Sequence, residues 1–280
     1  MGEETLLIVG NGFDLSMGFK TSFGDFMRSS VFPKFDSTLC SYLRKQFQEN
    51  MGWIDIENEL SEFSNVISSM KQDAKKKHTK WEYDNFREEY DDLKSSLKKY
   101  LQEETKGQFI LKKDNPAVSV IDHLPVGSKI ISFNYTSIIE RMTRDRFCVS
   151  KGNLLHIHGS LAPYDDIVFG VEDSAKLSKE HVFLYKAHSQ SLKAREFSNW
   201  LNSAERIIFY GYSLGDTDRQ YFEKFFQKLC SENSSNVYLN FYYYGQSSYD
   251  NLIWQLQILT KHKLTQLLTY NQIEFIDCSI

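Results

Sequence analysis

The sequence is poor in residues that cross-link a chain or break its regular structure. Its 280 residues include four cysteines, four prolines and fourteen glycines. Cys40, Cys148, Cys230 and Cys278 lie far apart, with no CxxC or CxxxC pair. That spacing argues against a zinc ribbon and a disulfide framework, and leaves reduced, mostly buried thiols as the simplest reading. A basic excess is also missing: 33 Lys and Arg stand against 37 Asp and Glu, a net charge of -4. The basic residues are dispersed among acidic ones, which argues against a dedicated nucleic-acid binder. The first apolar run is only Leu6-Leu7-Ile8-Val9, preceded by Glu3 and Glu4. It is too short for an export signal or a membrane span, so a cytoplasmic protein without a membrane partner is expected. The length suits one large α/β unit or two smaller pieces, at roughly 150 residues per domain. Such a chain can bury a sizeable core without metals or disulfides.

The scarce glycines and prolines are unevenly placed. Neither occurs between Gly52 and Gly107. Within that gap Ile56, Leu60, Phe63, Ile67 and Met70 recur at steps of four and three, as do Phe86, Tyr90, Leu93, Leu97 and Tyr100. Each set lines one side of an α-helix, so a helical hairpin is expected, turning between Asp73 and Thr79. Elsewhere short apolar, β-rich runs end in Gly, Asn or Asp: Thr5–Val9, Lys129–Phe133, Asn153–Ile157, Ile167–Phe169, Arg206–Tyr210, Val237–Tyr243 and Ile273–Ile276. Most are too continuously apolar for a half-solvated sheet, which predicts parallel strands covered on both faces. Helices are expected over Asp218–Cys230 and Tyr249–Thr269. The expected fold is α/β: one Rossmann-like domain over residues 1–280, with a mostly parallel sheet. A helical insertion, residues 40–110, falls between its first and second strands.

Four segments can carry chemistry. Gly10-Asn11-Gly12-Phe13-Asp14 follows the first strand, where glycines let a backbone approach a phosphate, although Leu15 replaces the third small residue of a dinucleotide fingerprint. A ligand-free tight turn is the other reading. Asn134, with Tyr135, follows the second strand, where its amide either closes a turn or orients a ribose hydroxyl or a water. His156 and His158 alternate along a strand and so are expected on one face, but no further metal ligand stands near them. His158, followed by Gly159, suits a general base, and His156 suits a hydrogen-bonded core position. Gly211-Tyr212-Ser213 ends a later strand, with Asp216 and Asp218 either capping the next helix or contacting a nucleoside.

Taken together, the stretches LLIVGNGFDLSMGFKTSFGDF, WIDIENEL, SFNYTSIIE, LLHIHGSL, IVFG and IIFYGYSLGDTD resemble the AbiH family of bacterial phage abortive-infection proteins. That family in turn is similar to distant sirtuin-like NAD-binding proteins. The resemblance implies a sirtuin-like body without the sirtuin zinc ribbon, hence no metal and no zinc-dependent deacylase. It implies NAD+ as substrate and cleavage of its nicotinamide–ribose bond by an anti-phage NAD+ glycohydrolase. Asn134 and His158 would be catalytic, supported by Glu140 or Asp14. Gly10, Asn11, Gly12, Phe13, Asp14, Tyr135, Gly211, Tyr212, Ser213 and Asp216 would contact the dinucleotide. The alternative is a non-catalytic NAD or ADP-ribose sensor. In either case the partners are NAD+ or a related nucleotide, with a second copy of the chain or a defence-system protein. The insertion is expected to serve as a lid or a partner surface.

Overall fold

The computed structural model describes residues 4–33, 37–52, 54–79, 83–107, 114–144, 151–186, 191–232 and 236–279. Six strands form one sheet: β1 (Thr5–Val9), β2 (Lys129–Ser132), β3 (Leu154–His156), β4 (Arg206–Tyr210), β5 (Tyr238–Tyr243) and β6 (Gln272–Asp277). Their order is β3-β2-β1-β4-β5-β6 and every pair is parallel. This is the doubly wound, Rossmann-like order, which reverses direction at β1 and β4. All five residues of β1 are buried. Leu6 and Ile8 join an apolar cluster with Phe209, Phe222, Phe226 and Leu256, whereas Leu7 and Val9 join one with Ile121, Ile130 and Ile139. Alternation thus sends successive side chains to two covered faces, which is why the run is apolar without interruption. Each such burial contributes roughly 1.5–3 kcal/mol.

The chain divides into two compact units. The sheet belongs to the first, formed by Met1–Phe19, Gly107–Asp166 and Gln190–Ile280. Its helices are α1 (Asn11–Ser16), α6 (Pro116–Asp122), α7 (Ile138–Thr143), α8 (Ser191–Ser203), α9 (Arg219–Leu229), α10 (Gly245–Leu259) and α11 (Leu264–Tyr270). The helix expected over Tyr249–Thr269 is therefore two, separated where Lys261 and His262 take left-handed backbone angles, φ 51° and 62°.

The second unit comprises Lys20–Lys106 and Ile167–Ser189. It holds α2 (Phe23–Arg28), α3 (Thr38–Glu49), α4 (Ile56–Lys76) and α5 (Phe86–Glu104). The insertion between β1 and β2 thus begins about twenty residues earlier than expected, and a later segment joins it; its expected end at residue 110 lies outside the described residues. Ser22 and Asp25 cap α2 reciprocally, and Asp55 caps α4 by accepting from the Asn58 N–H. The expected apolar stripes form α4 and α5, and α3 packs against both helices. Ile56, Leu60, Phe63 and Ile67 are buried, while Met70 is exposed. The expected strand Ile167–Phe169 does not form. The Tyr90 hydroxyl donates to the Phe169 carbonyl and the Gly170 N–H to Glu57 Oε1, so helix side chains claim this backbone in place of a ladder. Glu57 also pairs with buried Lys186 at 2.7 Å.

Candidate functional site

One row of paired residues crosses the sheet near its carboxyl edge: His156, Ser132, Val9, Tyr210, Tyr242 and Ile276. The loops singled out in the sequence leave from this row. In parallel sheets such loops gather at the crevice where the strand order reverses.

At the reversal point Gly10 and Gly12 pack against Gly211, backbone to backbone. A Cβ on Gly12 would fall 2.6 Å from the Gly211 Cα, and one on Gly10 would fall 2.7 Å from the Gly211 carbonyl oxygen. Gly211 itself has φ +57°, a left-handed conformation that favours glycine. The Gly12 N–H donates to the Gly211 carbonyl at 2.9 Å, the Gly10 N–H to that of Tyr210, and the Phe13 N–H to that of Gly10. The close approach expected towards a phosphate is thus made to a second strand-end loop. Phe13 is buried edge-on against Tyr210, with ring centroids 5.7 Å apart. Asn11 is half-buried.

Asn134 is 7% exposed. Its Nδ2 donates to the Gly10 carbonyl at 3.0 Å and to Asp14 Oδ1 at 2.9 Å. Its peptide N–H donates to Ser132 Oγ, and its carbonyl oxygen lies 3.1 Å from His156 Nδ1. Its Oδ1 has no partner among the described residues. Asp14 is fully buried and also accepts from the Thr136 hydroxyl at 2.6 Å. Burial pushes its carboxyl up to about 7, against the opposing pull of the Thr136 and Asn134 hydrogen bonds and the charge of His156.

The two histidines part company. β3 ends at His156, so strand alternation does not govern His158. His156 bridges the Asn134 carbonyl and Glu140 Oε1, at 3.1 Å each. Both of its ring nitrogens face acceptors, which makes it a structural strut. His158 is 4% exposed, and its Nε2 lies 2.9 Å from Asp218 Oδ1, with the N–H direction off the line of a hydrogen bond. The two groups are therefore close without an aligned hydrogen bond between them. Asp218 Oδ2 accepts from the Tyr212 hydroxyl at 3.0 Å. His158 Nδ1 has no partner among the described residues. The His158 ring lies 5.4 Å from that of Phe133 and 6.2 Å from that of Tyr135, so it sits against both neighbours of Asn134. Among the described residues no three His, Cys, Asp or Glu side chains converge as a metal site, and no helix is long and apolar enough to cross a membrane.

Beside this cluster a cavity of about 740 Å³ opens beyond β4, β5 and β6. Gly12, Gly211, Tyr212 and Ser213 line one side, and Tyr242, Tyr243, Tyr244 and Cys278 line another. Among the described residues no Lys, Arg or His lines it. Tyr210 also lines it, and its hydroxyl is held above its usual range chiefly by burial. Asp216 is outside it: its side chain is 69% exposed and pairs with Arg219. Cys40 and Cys230 are buried and Cys278 half-buried, while Cys148 lies outside the described residues.

A family model described as bacteriophage abortive infection AbiH matches residues 6–241. The chain belongs to this family. No curated protein matches the chain. The AbiH match runs from β1 into β5 and so contains every loop of the polar cluster, while the Cys278 side of the cavity lies beyond it. Membership points to a role in phage abortive infection. Two features of this AbiH chain escaped sequence reasoning. Asp218 occupies the N-cap position of α9 yet makes no side-chain cap, its carboxylate being turned to Tyr212 and His158. The Tyr242-Tyr243-Tyr244 run reads as a buried strand but walls a cavity; its only sequence signal is three tyrosines at a strand end.

Proposed function

We propose that this AbiH protein is an NAD+ glycohydrolase that depletes NAD+ during phage infection. The observation that carries the reading is the pair Asn134 and His158. Asn134 is held by two donated hydrogen bonds that leave Oδ1 unclaimed, and His158 lies against Asp218 with Nδ1 unclaimed, among the described residues. Both atoms can accept a proton or hydrogen bond, as the activation of a ribose hydroxyl or a water requires. The resemblance to sirtuin-like NAD-binding proteins and the Rossmann-like strand order support the same reading. The cavity fits the adenosine half, since tyrosine rings offer flat apolar walls with polar edges.

In the reaction the bond between ribose C1′ and the nicotinamide nitrogen breaks, and its electron pair leaves with nicotinamide. Asn134 Oδ1 accepts from the ribose hydroxyl or the water and fixes its direction. Water adds to the oxocarbenium-like C1′ while His158 takes its proton, and Asp218 stabilises the imidazolium formed. The products are nicotinamide, ADP-ribose and one proton.

Nicotinamide release by purified protein, with and without extract of phage-infected cells, tests the reading. Asn134→Ala and His158→Ala are each expected to lower the rate by about 10²–10⁴-fold. Undiminished release by both variants would overturn it. The close burial of both residues favours one competing reading, a nucleotide sensor without turnover. Calorimetric binding of ADP-ribose with no release under any condition would select that alternative.

A further inference from the structure

The loop between β1 and α1 reaches Asn134 at two points, the Gly10 carbonyl and the Asp14 carboxylate. We infer that this loop is a clamp for the Asn134 amide, with Asp14 as the positioning residue that sets which way Oδ1 faces. The inference rests on the proposed role of Asn134 in orienting the ribose or the water.

The geometry allows one amide orientation. Nδ2 has two hydrogens, and Gly10 and Asp14 accept one each, at 3.0 Å and 2.9 Å. A half-turn about Cβ–Cγ would set Oδ1 against the Gly10 carbonyl, which can only accept, losing that hydrogen bond and adding repulsion. The Thr136 hydroxyl holds the other carboxyl oxygen of Asp14 at 2.6 Å, so the carboxyl plane is itself fixed. The main chain of Asn134 is anchored by Ser132 Oγ and His156 Nδ1. The clamp is in turn seated on a neighbour, because Gly12 and Phe13 pack against Gly211 at sub-contact spacing for any larger residue. The glycines that resemble a phosphate cradle thereby serve the orientation of a side chain one strand away. Oδ1 is the atom left over.

The test compares Asp14→Ala, Asp14→Asn and Thr136→Val with wild type in two measurements. The first is nicotinamide release, resolved into kcat and KM. A misplaced orienting group is expected to lower kcat of Asp14→Ala on the order of 10²-fold per folded molecule, with KM little changed. Asp14→Asn still offers an oxygen to Asn134 Nδ2 and should recover most of that loss, a rescue that a purely structural role would not produce. The second measurement needs no turnover: hydrogen exchange of the Asn134 side-chain amide in ¹⁵N-labelled protein. Its two hydrogens should be protected in wild type and Asp14→Asn, and exchange freely in Asp14→Ala. Wild-type kcat and a protected amide in folded Asp14→Ala overturn the inference, even where Asn134→Ala is inactive and the proposed function stands. Full activity in Asn134→Ala overturns the role of Asn134 instead, and amide exchange then decides the clamp alone. Should Asp14→Ala not fold, Thr136→Val removes one bond from the carboxyl and should show smaller losses in both measurements. No change in either would overturn the clamp.

Discussion

The carboxyl edge of the sheet treats its polar groups in opposite ways on its two sides. Beyond β1, β2 and β3, carboxylates, imidazoles and amides are interlocked, and Asn134 Oδ1 and His158 Nδ1 have no partner among the described residues. Beyond β4, β5 and β6 there is a cavity of about 740 Å³ walled by tyrosines, with Asp114 as the one acidic residue and no basic one among the described residues of its lining. The proposed reaction asks this of the first side, because groups fixed in advance need no reorganisation when charge develops. The proposed substrate asks something else of the second side, room for a flat body with few charges. Gly12 and Gly211 stand where the two meet. The proposed cleavage of a dinucleotide needs both properties within one crevice, and in this fold the two regions come from different strands.

The sharpest way to break the polar side is through its buried carboxyl. Folding moves the Asp14 pKa from 3.8 to about 7, mainly through burial, while Asn134, Thr136 and the charge of His156 oppose the shift. A carboxyl raised on folding binds more protons in the folded state between those values. Stability it contributes is full below 3.8 and is lost as pH rises through about 7. Asp14→Asn cannot ionise and keeps an acceptor for Asn134. The variant should therefore gain on wild type across that window, reaching about 4 kcal/mol at most, from about 3 pH units at about 1.4 kcal/mol each. Urea titrations of both proteins at several pH values measure the difference. A difference that is flat with pH would show that Asp14 ionises normally in the fold.

A smaller effect is expected where the two sides meet. Gly211→Ala must adopt φ +57° and set its Cβ 2.5 Å from the Gly12 backbone. The left-handed angle costs roughly 1–2 kcal/mol and the overpacking about 1–3 kcal/mol more. Gly18 supplies the control, since φ is +87° there but nothing lies within 4 Å of an added Cβ. Gly18→Ala should pay only the first cost. Equal losses for the two variants, read from thermal or chemical denaturation, would mean that the loops relax apart freely and that no rigid seam separates cluster from cavity.

Much of this arrangement was legible in the sequence, for identifiable reasons. Strands buried on both faces must be apolar without alternation, so β1, β2, β4 and β5 stand out between Gly, Asn and Asp. The helices of the insertion announce themselves through period and the lack of Gly and Pro. Ile167–Phe169 misleads because Ile167 and Phe169 are buried without a ladder, with Tyr90 bonding the Phe169 carbonyl and Glu57 the N–H of the next residue, Gly170. His158 and Asn134 could be picked from their strand-end positions, and Asp14 named as a supporting group, but which atoms meet could not be read. Asp14 and Asp218 lie far from them in sequence, and each has a simpler local reading, as a loop residue or a helix cap. The glycine motif was visible while its contact was not, since a glycine opposing a phosphate and one opposing another glycine read alike.

The smallest expected effect separates two carboxylates that the sequence sets two residues apart. Asp216 and Asp218 both follow Gly215, and either one suits the cap of α9 or a ligand contact. The fold distinguishes them by burial. Asp218 is turned inward to His158 and Tyr212, whereas Asp216 points to solvent and pairs with Arg219 on the next turn. An exposed pair of this kind contributes about 0–1 kcal/mol, because water screens it and two side chains must be ordered to form it. Asp216→Ala should accordingly shift the denaturation midpoint little and leave both ADP-ribose affinity and nicotinamide release near wild type. Its modest loss should shrink further at high salt, where surface pairs are screened over a few ångströms. A tenfold or greater loss of affinity would place Asp216 against the ligand after all, and would extend the cavity's recognition surface past Ser213 to the start of α9.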